Sequence, residues 1–119
     1  MPTLYGISNC DTIKKARKWL EQRGVQYTFH DYKKSGVTKD MLENWALEIG
    51  EWEPLLNRRG TTFRKLPEIV RDNVNENTAL QLMVENPSMI KRPVLEYDGG
   101  VMVGFKGTDY ETVLGLNQD

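Results

Sequence analysis

The sequence predicts an α/β fold, a mixed four-stranded sheet with flanking helices and a helical insertion at about residues 37–90, set between a βαβ unit and a C-terminal β-hairpin. Three observations predict it. The apolar pattern of residues 4–30 runs from strand to helix and back to strand, with short joins. Residues 38–85 carry helical spacing interrupted by prolines and glycines. Asp98-Gly99-Gly100 then separates two short apolar runs, the pattern of a hairpin turn.

Each element has its own warrant. Leu4, Tyr5 and Ile7 form the first strand, and Gly6 with Ser8-Asn9 breaks the run. From Asp11 the period is helical: Ile13, Ala16 and Leu20 share one face, with Trp19 beside them, and Gly24 closes the helix. Val25 to His30 alternates apolar and polar, so a second strand is expected there, parallel to the first through a right-handed crossover. Lys33-Lys34-Ser35-Gly36 reads as a loop. Thr38 is the expected N-cap of a helix carrying Met41, Leu42, Trp45 and Ile49, with Gly50 at its end. Pro54 limits the following apolar segment to a short turn. Residues 57–65 read as a basic loop. Helices follow from Pro67 to about Asp72 and from about Asn77 to Glu85, the latter with Leu80, Met83 and Val84 on one side. Val94–Tyr97 and Val101–Val103 make the hairpin. Thr108-Asp109-Tyr110-Glu111 reads as a capping box opening a last helix. This order has the general plan of a thioredoxin-like fold.

The totals narrow the function. A chain of 119 residues is expected to form one domain, 1–119, with a core of its own. Net charge is −1, whereas a nucleic-acid binder more often carries a large basic excess, so no nucleic-acid partner is expected. No run reaches the length of a membrane span, and no membrane partner is expected. A single cysteine excludes an internal disulfide and a Cys-x-x-Cys pair, which suits a reducing compartment and predicts a cytoplasmic protein. His30 is the only histidine and has no second histidine or cysteine to share a metal with. It reads as a half-buried strand residue, and neither a metal nor a tightly bound cofactor is expected. Trp45 and Trp52 read as packing.

Cys10 is the residue with chemistry. It sits where the first strand gives way to the first helix, facing the unpaired N–H groups and the positive end of the helix dipole. Both favour the thiolate over the thiol. Lys14 and Lys15 add to that field and Asp11 opposes it. Asn9, in the Ser-Asn turn, and Thr12, in the first helical turn, are candidate donors to a bound anion or to the sulfur.

Three segments carry a resemblance. Gly-Ile-Ser-Asn-Cys-Asp-Thr-Ile-Lys-Lys-Ala at 6–16, Leu-Leu-Asn-Arg-Arg-Gly-Thr-Thr-Phe-Arg-Lys-Leu at 55–66 and Ile-Lys-Arg-Pro-Val at 90–94 resemble the arsenate-reductase-related ArsC/Spx family, and most closely its YffB-like branch. The resemblance spans nearly the whole chain. It implies that Cys10 is a nucleophile and that Arg92 and Pro93 face it, with the proline cis and its backbone a platform for an extended peptide. It also implies that Arg59 belongs near the thiol as a thiolate-stabilising or anion-holding group. A guanidinium suits that task through its planar fork of donors. The implied activity is a monothiol reductase with glutathione as co-substrate, because a lone thiol that has formed a mixed disulfide needs an external thiol to release it. Its substrate would be a small thiol, disulfide or oxyanion. The alternative is a non-catalytic Spx-like adaptor that binds RNA polymerase or another protein, and a third reading is an arsenate reductase. Against the third, Phe105 and Asn57 stand where glutaredoxin-coupled arsenate reductases carry arginines. Against the second, Ile13 stands where Spx-like regulators carry the second cysteine of their switch.

Overall fold

The computed structural model describes residues 1–116, so the last three positions of the expected domain lie outside the described residues. The chain divides into two compact units. One contains Met1–Asp31 together with the segment from Arg92 onward, and the other is Tyr32–Lys91.

The first unit holds a four-stranded sheet in the order β2-β1-β3-β4. Strand β1 (Thr3–Gly6) pairs in parallel with β2 (Thr28–Asp31) and antiparallel with β3 (Val94–Tyr97), which pairs antiparallel with β4 (Gly100–Val103). The sheet is therefore mixed and of thioredoxin-like plan. Helix α1 (Asp11–Gln22) connects the two parallel strands and buries Ile13, Ala16 and Leu20. Helix α7 (Gly107–Val113) follows the hairpin and buries Tyr110. The core of this unit joins Leu4, Ala16, Leu20, Leu95 and Tyr110. Period-two alternation brings Phe29, Leu4, Leu95 and Met102 into register across the four strands, which is why this face of the sheet is apolar.

Helix α1 ends as expected. Gly24 adopts φ 70°, Val25 N–H reaches the Leu20 carbonyl at 2.9 Å and Gly24 N–H reaches Glu21 at 3.1 Å. This double closure satisfies the last carbonyls of the helix. It also shortens β2, which begins at Thr28 and not at Val25. The Val25 amide is spent on closing the helix, and β1 starts only at Thr3, so residues 25–27 have no strand to pair with. Gly6 does not break β1. It is the last residue of that strand, paired with Asp31, and a Cβ on it would lie 2.1 Å from Ile13 Cδ1. Glycine is required there because strand and helix approach too closely for a side chain.

The second unit, which takes the place of the expected insertion, is helical. Helix α2 (Tyr32–Ser35) replaces the expected loop: Tyr32 is buried, and Gly36 at φ 71° returns its N–H to the Tyr32 carbonyl. Helix α3 (Lys39–Ile49) starts on Thr38, whose hydroxyl accepts from the Met41 amide at 3.2 Å, and ends on Gly50 at φ 99°. A 3-10 turn at Glu53–Leu55 follows, and the second half of the basic loop is helix α4 (Thr61–Arg64), drawn inward by buried Phe63. Helix α5 (Glu68–Arg71) buries nothing. Helix α6 (Glu76–Glu85) opens on Asn75 and buries Ala79, Leu80 and Met83. Leu56 bridges Ile90, and Lys91 N–H donates to the Leu55 carbonyl at 2.7 Å, so the unit's last residues lie along its 55–57 segment.

The final helix departs from expectation. It begins at Gly107, two residues before the box would allow, and no side chain caps it. Tyr110 N–H bonds the Lys106 carbonyl, which puts Thr108 inside the helix. Gly107 lies so close to Trp19 that a Cβ would sit 2.9 Å from the indole nitrogen, so the ladder can start there only on glycine.

Candidate active site

Cys10 is the N-cap residue of α1. Its backbone is extended (φ −89°, ψ 131°), its N–H donates to the Ile7 carbonyl at 3.1 Å and its carbonyl accepts from Lys14 at 3.0 Å. The side chain is thereby placed over the first helical turn, half-buried. It closes no regular cap bond. The Ile13 and Thr12 backbone N–H groups and the Arg92 side chain are nevertheless directed at the sulfur. Burial pushes the thiol up, but Ile13, the Arg92 hydrogen bond, Thr12 and the Arg92 charge together outweigh it and bring the thiol below its ordinary value. The sulfur is thus biased toward ionisation beside a guanidinium, an arrangement suited to attack on an oxidised sulfur or to holding an anion.

Arg92 comes from the segment leading into β3 and is half-buried. The Arg92–Pro93 peptide is cis, and Pro93 is buried. The Pro93 carbonyl accepts from Gly104 N–H at 2.8 Å, one step beyond the Val94–Val103 pair that ends the hairpin ladder. Position 6 stands beside this segment as well, since a Cβ there would lie 3.7 Å from Arg92 Cβ.

The structure therefore brings Cys10, Thr12 and Arg92 together within one unit, with Pro93 joined to Arg92 through the cis peptide. Thr12 contributes through its amide, and its side chain is exposed. Asn9 is exposed in the turn before the cysteine. Asp11, Lys14 and Lys15 are exposed on the helix. Ile13 is the donor that the sequence did not suggest; position three of a helix, read from the cap at Cys10, is the signal that would have found it. Arg59 lies in the other unit, on the exposed turn Asn57–Gly60, where its N–H donates to Asn57 Oδ1 at 3.3 Å. Asn57 is folded over its own turn, and its amide fills the space where a Gly60 Cβ would stand. Phe105 packs edge-on against Tyr110 at 5.0 Å and Trp19 at 6.1 Å. Arg58, Arg59 and Lys91 line a cleft of about 410 Å³ with Glu53 and Leu56. A larger cleft in the same unit, about 570 Å³, is lined by Glu43, Glu51 and Glu76 around Leu47 and Trp52. It carries neither thiol nor cation and offers nothing to a disulfide or an oxyanion.

His30 is half-buried, with its ring 4.9 Å from that of Tyr5. Among the described residues no group of three His, Cys, Asp or Glu side chains is placed to hold a metal. No helix among them is long and apolar enough to cross a membrane.

The sequence pattern of the ArsC family matches residues 5–113. The chain is 51% identical to the YFFB (PA3664) protein of a solved structure, covering 96% of this chain and 99% of that one at a TM-score of 0.90. It is 58% identical to an arsenate reductase (ArsC) related protein from Brucella melitensis, covering 97% and 95% at a TM-score of 0.75. It is also similar to the global transcriptional regulator Spx of Streptococcus mutans, at 26% identity over 96% of this chain and 83% of that protein.

Proposed function

This chain belongs to the ArsC family, and from that membership we propose that it is a glutathione-dependent monothiol reductase. The observation that carries the reading is the sulfur of Cys10, half-buried at the cap of α1 and drawn toward the thiolate by two amides and a guanidinium. The reaction balances with one protein thiol. The Cys10 thiolate attacks the glutathione sulfur of a mixed disulfide; the S–S bond breaks, and the substrate leaves as a thiolate that takes a proton from water. Cys10 is then disulfide-bonded to glutathione. A second glutathione thiolate attacks the glutathione sulfur of that bond, releasing oxidised glutathione and the Cys10 thiolate. Arg92 stabilises the thiolate at the start and again as the leaving group. Arg92 and Pro93 would bind the peptide, with Asn9 as a further substrate-binding group.

Two positions favour a disulfide over arsenate. Phe105, in an aromatic cluster, and Asn57, folded on its own turn, are neutral side chains, so these positions bring no cation to an oxyanion. The likeness to Spx favours a second reading, an adaptor that binds a protein such as RNA polymerase without turnover. One experiment separates them. Turnover of a small glutathione mixed disulfide should be seen with the unaltered protein and lost in Cys10→Ser. A Cys10→Ser variant with undiminished turnover sinks the reductase. Absence of turnover in both, with a stable protein partner captured by Cys10→Ser, establishes the adaptor.

A further inference from the structure

Tyr110 is the most deeply buried polar residue of the first unit, with no exposed surface. Its ring is fixed by edge-on contacts with Trp19, at 5.9 Å and 88°, and with Phe105, at 5.0 Å and 84°. Trp19 belongs to α1, the helix that Cys10 caps. The phenol is thus seated on that helix while its hydroxyl donates to the Gly104 carbonyl at 2.8 Å. Burial pushes the phenol far above its ordinary ionisation range, so it remains a donor at every working pH.

Gly104 is the first residue past β4. Its φ of 94° turns the chain out of the hairpin, and its N–H donates to the Pro93 carbonyl at 2.8 Å. Without a partner on its own carbonyl, this residue would be the free end of a four-residue ladder, where opening is easiest. The Tyr110 hydroxyl closes that end. Two successive bonds therefore run from the core to the backbone of Pro93, the residue joined to Arg92.

We propose that Tyr110 is a positioning residue for the thiol site: its hydroxyl holds Gly104, Gly104 holds the Pro93 carbonyl, and the guanidinium of Arg92 is thereby kept at the Cys10 sulfur. The proposal deepens the reductase reading, but its readout is the ionisation of one sulfur, which is measurable whether or not a disulfide is turned over. A buried phenol needs a hydrogen-bond partner for stability alone, so the test must read something that stability does not move.

Charged groups at this end of the sheet include Arg92, Asp31 at the end of β2, Asp11, Lys14 and Lys15 of α1, and Lys106 and Asp109 at the start of α7. Of these, Arg92 is the one that acts on the sulfur. Tyr110→Phe keeps the ring and its packing and removes only the hydroxyl. The rate of Cys10 alkylation by iodoacetamide against pH should show the thiol titrating higher, with the thiolate fraction at pH 6.5 lowered about two- to fivefold. In an Arg92→Ala background the same substitution should add nothing, because the group it positions is gone. A folded Tyr110→Phe protein with an unchanged titration overturns the proposal, as does an equal shift in both backgrounds. A measurement on the unaltered protein stands apart from any variant's folding: protonation of Cys10 should move the Gly104 amide resonance. A resonance that stays still through the titration also overturns it.

Discussion

The starts of helices α1 and α6 meet the same requirement with different atoms. A helix leaves its first N–H groups without partners. At α6 the Asn75 side chain accepts from Thr78 N–H at 3.0 Å, and the Thr78 hydroxyl accepts from Asn75 N–H at 2.9 Å. The two bonds are short and reciprocal, and they are satisfied within the protein. At α1 the cap is Cys10, whose sulfur closes no such bond, so the amides of Thr12 and Ile13 remain directed at an atom that can change charge. The first arrangement stabilises a helix. The second leaves part of that stabilisation conditional on ionisation of the sulfur, which suits the proposed role of Cys10.

Four changes break or sharpen this contrast. The largest effect is expected from Arg92→Lys. An ammonium lacks the planar fork, and losing one charge-assisted hydrogen bond at about 1.5–3 kcal/mol lowers the rate of Cys10 alkylation or disulfide turnover about 10- to 100-fold. Stopped-flow alkylation at pH 6.5 checks it, and a rate within a factor of two removes Arg92 from the site. Next is Gly6→Ala. The added methyl meets fully buried Ile13, so overpacking costs about 1–3 kcal/mol in urea unfolding and moves the Ile13 amide off the sulfur. Stability and thiol ionisation should both suffer; a loss of one without the other separates packing from electrostatics.

Asn75→Ala should cost about 1 kcal/mol, the usual worth of an N-cap, and leave Cys10 titration untouched. That dissociation is the contrast in its plainest form. The smallest effect is a pH dependence. Cys10 titrates lower in the folded chain than when free, so the unfolded chain holds its proton over a window in which the native thiol has lost its own. The resulting stabilisation is fully present above about pH 8.5, the free thiol's value. It is lost as pH falls through the lowered native value. The melting temperature of the unaltered protein relative to Cys10→Ser should therefore rise with pH through that window, and a flat difference contradicts the lowered ionisation.

Much of this was legible in the chain because the signals were local. The switch of period at Asp11 put Cys10 at a helix start, and Asp98-Gly99 placed the hairpin. The failures came where a distant partner decided. Thr108-Asp109-Tyr110-Glu111 has the letters of a capping box, but the helix starts earlier, at Gly107, where Trp19, far away in sequence, crowds the space a side chain would take. Val25–Tyr27 alternates like a strand and finds no strand opposite it. Asn75 and Thr78 form a real box that lacks the usual glutamate or glutamine, so its pattern is silent. At the site, Cys10 was identifiable by type and place. The Ile13 amide was legible only through that place, as the third position after the cap, since a backbone donor has no letter of its own.

The outermost strands of the sheet, Thr28–Asp31 and Gly100–Val103, are four residues each. An edge of that length points only about half of its amides and carbonyls outward, roughly two of each. So few open groups cannot hold an incoming strand from another molecule in register. The brevity of these borders restrains the sheet from growing by self-association into a fibre.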